Sequence, residues 1–201
     1  MFETDGWEYN ILKEAIARSV GNEYSLFCEI GTRKGGSTKI IIDQINSVCP
    51  DKTLICIDPY GDIAYETKDN IWTKYDYTNE MRRQTQKDLF SYVFDKRIDF
   101  HMLIMEDQEY FHRFADGYPT YNDTRGKVIS NHYQFVYFDG PHAAWPIMRE
   151  VDFFLFRVSK GSVFVFDDIC EYNHDIIDDH LIRNYWEVLE KGEFKASYIK
   201  L

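Results

Sequence analysis

The sequence is poor in the features that mark several classes of protein. Only four cysteines occur in 201 residues, Cys28, Cys49, Cys56 and Cys170, and no two form a CxxC pair. A disulfide framework and a cysteine zinc site are therefore not expected. Set beside apolar runs, most of these thiols read as small buried hydrophobes. Basic residues are scarce, 23 Lys and Arg against 34 Asp and Glu, for a formal net charge of −11. No basic stripe is left to neutralise phosphates, so no nucleic-acid partner is expected. No apolar run is long enough to span a bilayer, so no membrane partner is expected either. The start, Met1-Phe2-Glu3-Thr4-Asp5, is acidic and lacks the apolar stretch of a secretory leader, and the expected location is cytoplasmic. There is no internal repeat, low-complexity tract or linker.

The chain does hold enough apolar residues for an ordered core: 44% of it is hydrophobic, with 15 Tyr and 15 Phe. Helical and strand patterns alternate, and residues 1–201 read as one domain. An amphipathic helix at 7–20 forms an amino-terminal segment, 1–22. Apolar strands follow at 25–30, 53–58, 98–105, 134–138 and 162–166, with a last strand at 194–199. Helices are expected at 36–48, 78–94, 108–114, 145–158 and 175–191. Strands that alternate with helices predict an α/β, Rossmann-like, doubly wound fold, a mostly parallel sheet with helices on both faces. Two segments read as loops. Residues 116–132 carry turn signals, and 59–77 is rich in Asp and aromatics and reads as a lid or substrate loop. Its aromatics would equally serve a contact in a homo-oligomer.

The most informative segment is Glu29-Ile30-Gly31-Thr32-Arg33-Lys34-Gly35-Gly36-Ser37, where a strand passes through a glycine-rich loop into a helix. Such a turn offers backbone amides to a small ligand, and glycine lets the ligand approach. Dinucleotides and S-adenosylmethionine both use this cradle. The second glycine of the dinucleotide fingerprint G-x-G-x-x-G is missing here, and Glu29 would repel a pyrophosphate but accept from an ammonium group. Asp58 ends the next strand about 20 residues on, the place of an acid that accepts from a ribose diol in either cofactor.

Acids also close later strands: Asp139, with His142 three residues on, then Asp167 and Asp168. Bare carboxylates brought together repel, and a hard divalent cation relieves the repulsion, which points to Mg²⁺ on Asp139, Asp167 and Asp168. The plainer reading makes Asp139 a turn residue and Asp167 or Asp168 a loop cap. His142 would be a general base beside an acidified hydroxyl; a lone loop histidine is more often incidental. His174, Asp175, Asp178, Asp179 and His180 read as a solvated helix start rather than a metal cluster.

Together, Glu29–Ser37, Ile57-Asp58-Pro59-Tyr60, Phe138-Asp139-Gly140-Pro141-His142 and Phe166-Asp167-Asp168 resemble the class I S-adenosylmethionine-dependent methyltransferases. Within that class the chain is most similar to the macrocin O-methyltransferase and Mg²⁺-dependent sugar O-methyltransferase group. The resemblance spans about residues 25–169 and implies roles. Glu29, Gly31, Thr32, Gly35 and Ser37 would bind the methionine half of the cofactor, Asp58 the ribose, and Asp107 and Gln108 the adenine. Asp139, Asp167 and Asp168 would hold Mg²⁺, with Asp139 and His142 catalytic. The implied reaction is metal-assisted O-methylation of a small hydroxylated acceptor, a sugar or polyol. The pattern departs from the class after Asp168, where one final strand is read and two are usual. Readings kept open are a Rossmann-fold NAD-type oxidoreductase, a non-catalytic S-adenosylmethionine-binding protein and a hydroxylase-like relative.

Overall fold

The computed structural model describes residue 2 and residues 6–68, 70–122 and 126–201. Among them the elements run α1 (Tyr9–Arg18), β1 (Leu26–Ile30), α2 (Gly36–Val48), β2 (Lys52–Ile57), β3 (Gly61–Lys68), β4 (Ile71–Tyr77), α3 (Asn79–Val93) and β5 (Ile98–Leu103). There follow α4 (Asp107–Arg113), β6 (Tyr118–Asn122), β7 (Gly126–Ser130), β8 (Tyr133–Phe138), α5 (Ala144–Leu155), β9 (Val163–Phe166), α6 (Asp175–Arg183), β10 (Trp186–Lys191) and β11 (Ala196–Lys200). Seven strands form one sheet in the order β10-β11-β9-β8-β1-β2-β5. Five of them run parallel, and β11 pairs antiparallel with both β9 and β10, the mostly parallel Rossmann-like arrangement expected from the sequence.

β1 is the middle one of the five parallel strands and is buried along its whole length. Alternation then assigns its side chains to the two faces. Leu26, Cys28 and Ile30 join one core layer with Ile147, Val151 and Phe154 of α5 and Ile177 and Leu181 of α6. Phe27 joins the other with Leu12 and Ile16 of α1 and Ile41, Ile42 and Ile45 of α2. Glu29 shares the Phe27 side, which is why it meets α2. Local signals start the helices. The Thr78 hydroxyl caps α3 by accepting from the Met81 amide at 3.1 Å. Pro146 falls in the first turn of α5, where no N–H is needed. No described helix is long and apolar enough to cross a membrane.

The strand register does the most to build a site. Leu103, Ile57, Ile30, Phe138 and Phe166 pair across five neighbouring strands and form one row. The chain leaves β1 toward β2 on one side and returns to β8 on the other, so a crevice opens beyond the carboxyl ends of β1 and β8.

Three expectations change. Residues 59–77, expected as a loop, contain an antiparallel hairpin, β3–β4, with residue 69 outside the described part. Residues 116–132 contain a second hairpin, β6–β7, with residues 123–125 outside the described part. The helix expected over 175–191 stops at Arg183. Tyr185 takes a left-handed φ of 62°, and the polar stretch after it forms edge strand β10. The sheet therefore ends in two strands, β10 and β11, as is usual in the class. Acidic and basic residues on an exposed edge strand mimic a solvated helix, and only Trp186, stacked on Phe164 at 4.1 Å, betrays the strand.

Candidate active site

The crevice widens into a cavity of about 1010 Å³. Of the residues singled out from sequence, Gly31, Thr32, Ser37, Asp58, Asp107, Gln108, Asp139, His142, Asp167 and Asp168 line it, and Glu29 and Gly35 do not.

The glycine loop fits here because two of its residues lack side chains. Gly31 has φ +89°, and a Cβ on it would lie 1.9 Å from the Asp139 carbonyl oxygen. Only glycine lets the β1 loop lie against the end of β8. Gly35 takes φ +77° to open α2, with Leu89 packed where a side chain would go. Asp58 ties the loop from the neighbouring strand. Its Oδ2 accepts from the amides of Thr32 at 3.0 Å and Arg33 at 2.7 Å, and its Oδ1 accepts from the Tyr60 amide at 3.0 Å. Burial raises the Asp58 pKa although the three amides oppose the rise.

Glu29 sits behind the loop rather than in the cavity. It accepts from the Ser37 hydroxyl at 2.7 Å and the Thr38 hydroxyl at 2.5 Å, binding β1 to the first turn of α2. Burial pushes its pKa to about 7, with both hydroxyls working the other way. Asp107 and Gln108 open α4 on the far side of the cavity, and the Gln108 amide donates to Asp107 at 2.7 Å. Behind them Glu150, fully buried on α5, has a pKa well above the usual range. Burial is the main cause and the Asp107 charge adds to it.

At the ends of β8 and β9, ligand atoms of Asp139, His142 and Asp168 come within 4.8 Å of one another. His142 Nδ1 is 3.3 Å from Asp168 Oδ2, and its Nε2 is 3.8 Å from Asp139 Oδ1. Asp168 takes a left-handed φ of 48°. Asp139 is raised to about 8, by burial first and then by the charge of Asp167. Asp168 is raised by the same two causes. For His142 burial favours the neutral ring, but the hydrogen bond and charge of Asp139, with Asp168 and Asp167 behind it, outweigh this and raise its pKa. As arranged, the imidazole lies between the two acidic side chains.

The grouping differs from the expected trio in one member. Asp167 is turned inward: the Lys195 ammonium and the Tyr137 hydroxyl both donate to it, and the Asp168 amide donates to its Oδ1 at 2.9 Å. Lys195 has no exposed surface, and its Nζ lies 5.0 Å from the centre of the Tyr9 ring. Sequence reasoning missed Lys195, Tyr9 and Tyr137. A lysine at the mouth of a terminal strand carries no spacing signal, and only the sheet order, which sets β11 beside β9, brings it to Asp167.

The arrangement is one rim with a backbone cradle, an acid on the second strand, a polar helix start on the third and an acid–histidine cluster on the fourth and fifth. Such a rim has room for a small ligand against the loop, beside a cluster that can take a divalent cation. Residues 28–169 match a family described as a methyltransferase domain. No curated protein matches the chain. Among solved structures it is similar to CalS11, a TDP-rhamnose 3'-O-methyltransferase of calicheamicin biosynthesis, at 12% identity over 94% of this chain and 76% of that one, with a TM-score of 0.56. It is similar to the O-methyltransferase TomG of Streptomyces achromogenes, solved with S-adenosylmethionine, at 13% identity over 94% and 77%, with a TM-score of 0.53. It also resembles an rRNA methylase of Streptococcus thermophilus at 10% identity over 99% of both chains, with a TM-score of 0.55. At such identities the likenesses establish the fold, and the named acceptors, a TDP-sugar and an rRNA, show that the fold alone does not choose the acceptor. With the family match covering well over half of the sequence, the chain belongs to the methyltransferase-domain family and has the fold of the class I S-adenosylmethionine-dependent enzymes.

Proposed function

We propose that the protein methylates a hydroxyl of a small polyhydroxylated acceptor, a sugar or another polyol, using S-adenosylmethionine and a divalent cation such as Mg²⁺. The observation that carries the reading is the single cavity shared by the glycine loop, Asp58, Asp107-Gln108 and the Asp139–His142–Asp168 cluster. The residues suit both groups. The loop can approach a ligand closely because Gly31 leaves no Cβ, and the cluster offers two carboxylates, donors suited to a hard cation, with an imidazole beside them. When bound, S-adenosylmethionine supplies an electrophilic methyl group and the cation supplies positive charge that acidifies a nearby hydroxyl.

The chain's own residues then have these tasks. Gly31, Thr32 and Ser37 present the loop to the methionine half, with Gly35 setting the start of α2. Glu29 acts from behind by holding Ser37. Asp58 meets the ribose, and Asp107 and Gln108 flank the adenine. Asp139 and Asp168 hold the cation. Asp167, read from sequence as a third ligand, is committed to Lys195 and supports Asp168 through its amide. His142, set between Asp139 and Asp168, would serve as the general base. Its Nε2, the more loosely held nitrogen, receives the acceptor's proton. Most of the rate gain comes from alignment of the two reactants. A net charge of −11 favours a small acceptor over RNA.

The test is calorimetry with S-adenosylhomocysteine against NADH, followed by product mass with and without EDTA. The reading expects S-adenosylhomocysteine alone to bind, a gain of one methyl per product, and no transfer in EDTA. Full activity in EDTA would remove the cation from the scheme. A gain of one oxygen would replace methyl transfer with hydroxylation.

A further inference from the structure

We propose that the inward face of the β3–β4 hairpin is the acceptor platform, a staggered stack of three tyrosine rings against whose open side a pyranose ring packs with its hydroxyls toward Asp139, His142 and Asp168. This rests on the methyl-transfer reading and specifies its acceptor.

The hairpin is built with two unlike faces. Ile63, Tyr65, Thr73, Tyr75 and Tyr77 alternate along the two strands and are half-buried, whereas Asp62, Ala64, Lys74 and Asp76 between them are exposed. On the outer face Lys74 and Asp62 form an ion pair at 2.8 Å. A two-stranded hairpin is marginal in water unless one face is covered. Here the inner face borders the cavity instead of vanishing into a core. Its rings are ordered among themselves. Tyr65 and Tyr75 lie 5.1 Å apart at 20°, Tyr75 and Tyr77 5.6 Å apart at 19°, and the hydroxyls of Tyr65 and Tyr77 are 3.2 Å apart. Tyr65 then meets the His142 ring edge-on at 6.4 Å, so the tyrosine surface runs directly into the acid–histidine cluster.

This mixture selects the ligand. Aromatic rings cover an apolar ring face, and their hydroxyls satisfy polar groups at its rim. A pyranose presents both, a face of C–H groups and a rim of hydroxyls, and neighbouring hydroxyls are what the cluster needs to engage. A flat aromatic acceptor would want apolar walls on both faces, yet the lining left for the acceptor includes the charged Arg149 and Glu171.

The experiment is saturation-transfer NMR with a panel of methyl pyranosides (gluco, manno and rhamno) and with catechol, on the full chain in Mg²⁺, with and without S-adenosylhomocysteine. At least one pyranoside should show saturation at its ring C–H protons and bind at least tenfold more weakly to Tyr65→Ala and Tyr75→Ala. Tyr75→Phe, which keeps the ring, should stay within threefold, and all three variants should hold S-adenosylhomocysteine within twofold of the unaltered protein. Binding of catechol alone, absence of binding by every pyranoside, or equal pyranoside binding by Tyr75→Ala would overturn the platform. Failure of the methyl-transfer reading shows separately, as no S-adenosylhomocysteine binding by the unaltered protein.

Discussion

Replacing Lys195 by methionine should destabilise the protein by about 3–5 kcal/mol, the cost of breaking a buried ion pair from one side. The structure explains why the cost is not smaller. Lys195 has no exposed surface, and Asp167 has almost none. Two unit charges about 4 Å apart attract by about 4 kcal/mol at an effective dielectric of 20, and this pair is closer than that. After the change Asp167 keeps two donors, the Tyr137 hydroxyl and the Asp168 amide, which hold the loss within that range. Neither donor carries a charge to offset the neighbouring Asp139. Urea unfolding followed by far-UV circular dichroism at pH 7 measures the effect. The double variant Lys195→Met/Asp167→Asn replaces the pair with neutral groups and should recover most of the stability. A single variant within about 1 kcal/mol of the parent, or a double variant no better than the single, would refute the reasoning.

Other outcomes follow from the same geometry. Glu29 titrates near 7 when folded against an ordinary 4.5, so the folded state holds a proton that the unfolded chain releases between those values. The associated stabilisation is complete below pH 4.5 and is lost as pH rises through 7, about 3 kcal/mol in all. In Glu29→Gln the loss of stability between pH 4.5 and 7 should be smaller by that amount in urea titrations, and an unchanged slope would count against it. Gly31→Ala must combine φ +89° with a Cβ 1.9 Å from the Asp139 carbonyl oxygen. It should lose at least about 2 kcal/mol of stability and S-adenosylhomocysteine binding with it, both read by thermal melts with and without that ligand. Asp139→Asn and Asp168→Asn should each weaken Mn²⁺ binding, followed by electron paramagnetic resonance, by tenfold or more, whereas Asp99→Asn, on a strand away from the cluster, should not.

The sequence carried the sheet and its rim because buried parallel strands are continuous apolar runs, and here they close on acidic residues. Glu29-Ile30-Gly31, Asp58, Asp139 and Asp167-Asp168 were visible on that ground alone. Two hairpins escaped it. β3–β4 and β6–β7 stand outside the main sheet, and their polar, aromatic strands lack the apolar density that marked the others. β10 escaped because its outer edge is as charged as a surface helix. Side-chain direction was the second limit. Glu29 and Asp167 sit at the expected positions, but one points under the loop to Ser37 and Thr38, and the other points into the sheet toward Lys195. Partners more than 25 residues away in the chain, such as Lys195 for Asp167, are fixed by strand order, which local pattern does not encode.

Asp58 bears on how quickly and how tightly a ligand can settle. A carboxylate offers about four acceptor positions, and three are already occupied by amides of Thr32, Arg33 and Tyr60. The loop is therefore fastened in shape by a side chain of the neighbouring strand, and the entropy of ordering it is lost during folding rather than at the moment of capture. Association should then proceed without a closing step at this end of the cavity. A ribose diol placed as proposed would find room for one strong hydrogen bond to Asp58, and a second would require the loop to release an amide. Affinity at this site is thus bounded by the grip the protein keeps on itself.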